Sequence, residues 1–128
     1  GAEGFLRWLD ENVWKLEKAD ELIVEKFVLQ NNAFVADTTP LVIEGMLMHV
    51  TWLAGKAITW QPRTYKALIG GSNQSERYKM LKRFGLHRPG AAYDDENDCV
   101  LHLLAWCRRN RHLPTIRAFW GGSEGENE

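Results

Sequence analysis

A chain of 128 residues, 45% apolar and 26% charged, is long enough to bury a core and short enough to be one domain, which excludes a disordered chain. No apolar run approaches the roughly 20 residues that span a bilayer and no signal-peptide pattern opens the chain, so a soluble cytoplasmic protein with no membrane partner is expected. The net charge of −1 hides an asymmetry: residues 1–55 carry four Lys/Arg against nine Asp/Glu, residues 56–120 carry twelve against five, and the last eight add three glutamates.

Phe5, Leu9, Val13 and Leu16 recur at helical spacing and predict an amphipathic helix over 5–18. Glu21 to Leu29 is a short apolar run, β-branched at its centre, and reads as a buried strand holding one charge pair, Glu25-Lys26. A loop over 30–40 follows, then a second helix from about Leu41 to Leu53, capped by Thr38 or Thr39, with Val42, Gly45, Met46, His49 and Leu53 on one face. Ala57–Trp60 is a strand stopped by Gln61-Pro62, and residues 63–68 begin a short helix. After the Gly70–Asn73 turn, Ser75 is expected to cap a basic helix ending near Phe84 and Gly85. A last strong helix spans Asp94 to Arg109, and the tail 121–128 reads as disordered. The order predicts an α/β fold with two strands parallel through a helical crossover. Two strands are too few for an independent sheet, and the chain opens on Gly1 rather than methionine, so further strands are expected ahead of residue 1.

Cys99 and Cys107 fall in the last helix, roughly 12 Å apart at about 1.5 Å rise per residue, too far for a disulfide, and read as reduced core thiols. Glu25 is the first candidate for chemistry, because a carboxylate inside an apolar strand needs a compensating cation; an edge-strand position is the plain alternative. Asp95, Asp98 and His102, spaced i, i+3 and i+7, share one helical face, and oxygen ligands grouped this way suit Mg²⁺ or Mn²⁺. An acidic helix N-terminus explains Asp94 to Glu96 equally well, and Asp98 and His102 less well. Glu44 competes with Glu25 as a ligand but is expected on an outer face, and His49 reads as a core or boundary histidine. Lys26, Arg63, Lys66, Lys79, Lys82, Arg83 and Arg88, with Arg108, Arg109 and Arg111, form a basic set able to track DNA phosphates, or an ordinary solvated surface.

Several stretches together resemble the RuvC-type Holliday junction resolvases, in the compact form found in phages of actinobacteria. They are Leu22-Ile23-Val24-Glu25-Lys26-Phe27, the helix opening Thr39-Pro40-Leu41-Val42-Ile43-Glu44-Gly45, Gln61-Pro62, Leu81-Lys82-Arg83-Phe84-Gly85-Leu86, and Glu96-Asn97-Asp98-Cys99-Val100-Leu101-His102. The resemblance covers roughly residues 5–110 and implies a ribonuclease H-like fold over 1–120, a mixed sheet flanked by helices. It implies a homodimeric, Mg²⁺- or Mn²⁺-dependent endonuclease acting on branched DNA in a bacterial host cell. Glu25 matches the fourth-strand ligand, Asp95 and Asp98 the helix pair, and His102 a histidine often found one turn further on. The family's first strand, with its catalytic aspartate, is expected before residue 1. If that aspartate is lacking, a binding module that no longer cuts is the second expectation. A packaging or flap nuclease of the same fold is the third.

Overall fold

The computed structural model describes residues 1–26 and 39–121. It is mixed α/β and mostly helical, and it divides into two compact units, Gly1–Trp60 and Gln61–Glu128.

In the first unit, α1 spans Ala2–Lys18 and packs against α2, Thr39–Leu53. Leu9 and Leu16, two of the expected core positions, are buried. Strands β1 (Glu21–Glu25) and β2 (Ala57–Gln61) form the two-stranded parallel sheet, with α2 between them in sequence. Thr59 Oγ1 donates to Glu21 Oε1 at 2.6 Å, tying β2 to the start of β1. Glu25 is the last residue of β1 and is exposed, not enclosed in an apolar strand. Residues 27–29, on which that expectation partly rested, lie outside the described residues, as does the loop over 30–38.

Helix α2 begins two residues before the expected Leu41, so Thr39 lies within its first turn and is not a preceding cap. Its expected inner face is also corrected. Val42, His49 and Leu53 are exposed, while Ile43, Leu47 and Val50 are half-buried and Thr51 is buried, its hydroxyl donating to the Leu47 carbonyl at 2.6 Å. The helix is apolar all round, so spacing alone does not select a buried face.

In the second unit a 3-10 helix over Arg63–Ile69 leads into α3 (Gln74–Arg83), α4 (Asp94–Arg109) and α5 (Leu113–Trp120). Ile69, Leu81, Leu101, Leu104, Ala105 and Phe119 make the core, with Tyr65, Tyr78, Met80, Val100 and Trp120 against it. Helix α4 is central, packing on both the 63–69 segment and α5. Acidic residues in its first turn and Arg108 and Arg109 in its last complement the macrodipole, which is why its bounds were readable from sequence. Helix α5 is an element the sequence reading missed. It has eight residues and Pro114 in its first turn, a legitimate helix start that reads as a breaker when isolated.

Hydrogen bonds lock these pieces together. Trp120 Nε1 donates to the Ile69 carbonyl at 2.7 Å, and Arg108 Nη1 to the Leu68 carbonyl at 2.7 Å, with the guanidinium over the Trp120 ring. Asn97, 1% exposed, accepts from Arg88 N at 3.0 Å and donates to the Arg88 carbonyl at 2.9 Å, fixing the loop before α4. Helix α3 is capped by Asn73, not Ser75: Asn73 Oδ1 accepts from Glu76 N at 3.0 Å. Glu76 reaches back to accept from Ser72 N at 2.6 Å, and that bond holds its carboxyl below the usual range. Of the cysteines, Cys107 is buried as expected, whereas Cys99 is exposed, and both are free thiols.

Candidate functional site

The second unit carries a cleft of about 310 Å³ lined by Arg63, Thr64, Lys66, Ala67, Gln74, Arg77, Asp98 and Leu101. Three stretches of chain supply these side chains. In a 3-10 helix, residues three apart eclipse one another, so Arg63 and Lys66 rise from the same side of the 63–69 segment. Gln74 and Arg77 are likewise three apart on α3, within the turn that Asn73 and Glu76 cap. Asp98 and Leu101 come from α4, with Leu101 shared between the cleft and the core.

Asp98 is the most heavily engaged of the expected site residues. Its Oδ2 lies 3.4 Å from Lys66 Nζ, and its Oδ1 accepts from the Tyr78 hydroxyl at 2.9 Å. The side chains of Lys66 and Asp98 are 12% and 25% exposed, so the pair is only partly screened by water. The Tyr78 hydroxyl also meets the Asp94 carbonyl at 3.2 Å and accepts from Gln74 Nε2 at 2.6 Å, while its ring tilts against His87. Burial first, and then the hydrogen bond to Asp98, push the Tyr78 phenol up from 10.0 to about 12. A proton retained more tightly in the folded state stabilises it fully below pH 10 and ceases to do so as pH rises through about 12. Urea melts across that window should therefore show wild type losing stability between pH 10 and 12 relative to Tyr78→Phe; equal slopes for the two proteins would refute this.

His102, expected on the same face as Asp95 and Asp98, is 4% exposed and held by Gln61. Gln61 Nε2 donates to the His102 carbonyl at 3.0 Å and lies 3.2 Å from its Nδ1. The face is thus graded: Asp95 exposed, Asp98 half-buried at the cleft wall, His102 in the interior. Glu25 and Lys26 are exposed at the end of β1 in the first unit, and Glu44 is half-buried on α2. His49 is exposed beside a shallow apolar hollow with Met48, Trp52 and Ile58.

Of the basic set, Arg63 and Lys66 line the cleft, and Lys79, Lys82 and Arg83 are exposed on α3. Arg88 pairs with Glu96 at 2.6 Å and lies over Tyr93, and Arg109 lies over Tyr65. Arg111 is exposed and takes a left-handed backbone, φ 56. Arg77, Gln74 and Tyr78 were missed by sequence reasoning. The only signal was their i, i+3 and i, i+4 spacing from Gln74, which reads as ordinary helix surface until α3 is set beside α4.

The carboxylates of α4 are oxygen donors of the class Mg²⁺ and Mn²⁺ prefer, and Lys66 shows that Asp98 already draws a cation to itself. Among the described residues no group of three or more His, Cys, Asp or Glu side chains stands together for a metal. Asp95 and Asp98 therefore fit a divalent ion as part of a ligand set. Among the described residues no helix is long and apolar enough to cross a membrane. Compared with protein-family models, curated proteins and solved structures, the chain matches none.

Proposed function

We propose that this chain is a metal-dependent endonuclease that cuts branched DNA, on a ribonuclease H-like fold, and that it acts as a homodimer in the cytoplasm of a phage-infected bacterial cell. The observation that carries the reading is the position of Asp98: a metal-ligand candidate lies in the wall of a cleft whose other charged side chains are Arg63, Lys66 and Arg77. Phosphodiester hydrolysis needs that juxtaposition, with cations to hold the strand and a carboxylate beside it.

Asp95 and Asp98 would hold Mg²⁺ or Mn²⁺, while Glu25 enters the ligand set through the family resemblance alone. When bound, the ion supplies Lewis-acid stabilisation of charge on phosphate and a more acidic water. Lys66 neutralises Asp98 in its absence and is freed toward phosphate as the carboxylate turns to the ion. Tyr78 remains a neutral hydroxyl at any physiological pH and orients Asp98 through Oδ1. His102, bonded to Gln61 and buried behind this wall, positions α4 rather than touching the strand.

A second reading, a branched-DNA-binding module without cleavage, is favoured by the Lys66–Asp98 pair, since that carboxylate is already neutralised. The two separate on a labelled four-way junction, run beside a flap and a linear duplex with Mg²⁺, with Mn²⁺ and with chelator. Paired cuts near the crossover, dependent on metal and weak on duplex, are expected. Tight junction binding without cuts under every metal condition would leave the binding module.

A further inference from the structure

We propose that Arg63, Lys66 and Arg77, with Gln74 beside them, form a seat for a single backbone phosphate of a nucleic-acid strand. The assignment of the phosphate to a strand rests on the reading above, whereas the anion seat stands on the cleft itself. The strongest mark is Arg77. Its Nε is buried and has no hydrogen-bond partner among the described residues, while the side chain lines the cleft. Buried arginine donors are seldom left unmet, and an acceptor oxygen entering the cleft relieves the deficit.

The rest of the lining selects the kind of acceptor. Three cationic side chains face one carboxylate, so the cleft keeps an excess of positive charge even with Asp98 ionised. Guanidinium forks match the oxygens of phosphate, and Gln74 and Thr64 add neutral donors. No aromatic side chain lines the cleft and only Ala67 and Leu101 are apolar, so it offers a nucleobase nothing to stack on. A volume of about 310 Å³ lies at the small end of ligand sites, suited to one charged group rather than a whole nucleotide.

The seat is also held in place. Gly71, at φ +78, lays the turn against Arg77, and a Cβ there would meet Arg77 Cγ and Glu76 Cβ at 3.3 Å. That turn and the Asn73–Glu76 cap fix the first turn of α3, from which Gln74 and Arg77 project. Asp98 holds Lys66 at the opposite wall until an anion competes for it.

The test is calorimetric titration of the full chain, in metal-free buffer, with inorganic phosphate and with a short single-stranded oligonucleotide. Arg77→Gln and the exposed Arg63→Gln should each weaken phosphate about tenfold or more, while Arg117→Gln, on α5 away from the cleft, should not. Oligonucleotide should displace phosphate, and the salt slope of its binding should fall by about one in Arg77→Gln. Arg63→Gln keeps the test open should Arg77→Gln fold poorly. The seat is overturned if phosphate binds wild type no better than Arg63→Gln, or if oligonucleotide and phosphate bind together without competing. Failure of junction cleavage with phosphate binding intact would count against the nuclease reading alone.

Discussion

Leu101→Ala is expected to cost about 3 kcal/mol of folding stability, a large share of the roughly 5–15 kcal/mol that domains of this size possess. Leu101 is 1% exposed, sits among Ile69, Leu81, Leu104 and Phe119, and faces both the 63–69 segment and the cleft. Truncation removes the transfer energy of the lost carbons and leaves a void that helices tied by Trp120 and Arg108 cannot readily close. Leu103, two residues on, is 51% exposed, and Leu103→Ala should stay within about 0.5 kcal/mol of wild type. Urea unfolding followed by circular dichroism provides the check: the midpoint should fall markedly for Leu101→Ala with little change in slope. Equal midpoints for the two variants would mean that α4 does not bury the face described. The cleft should suffer with the core, because Leu101 is one turn beyond Asp98 and sets how that helix meets Lys66.

How much of this was legible in sequence depends on where each element draws its stability. Helices α1 and α4 were readable because a polar face and oppositely charged ends accompany their apolar stripes. The buried face of α2 was not, since Val42 and Leu53 are as apolar as Ile43 and Leu47 and only packing distinguishes them. The α3 cap was misplaced by two residues because Ser75 and Asn73 are both good caps, and the Glu76 return bond that favours Asn73 is a three-dimensional fact. In the site, Asp98 and Lys66 stood out singly by charge and spacing. Their pairing across 32 residues, and the arrival of Tyr78 from 20 residues away, depend on how α3 and the 63–69 segment pack around α4. Arg77 carried no sequence signal beyond being one arginine among many. Its buried Nε distinguishes it from Lys79 and Lys82, which are exposed on the same helix.

Asp98→Asn should separate the two functional readings most sharply, because it changes charge with almost no change of shape. The Tyr78 hydroxyl can donate to the amide oxygen as it does to Oδ1, so the local fold should persist. Lys66 loses its partner, and for a pair that is partly exposed this should cost no more than about 1 kcal/mol. Removing a negative charge from the wall of a cationic cleft should leave junction binding unchanged or tighter. Cleavage should fall by about 10³-fold, the equivalent of the several kcal/mol that a bound metal contributes to stabilising charge on phosphate. The expected signature is therefore divergent, with binding retained and cutting lost in one protein at nearly wild-type stability. If cutting persists within about tenfold, Asp98 holds no metal that matters to the reaction. If binding and cutting fall together with the melting temperature, the residue acts through the fold, and its bonds to Lys66 and Tyr78 are its whole role.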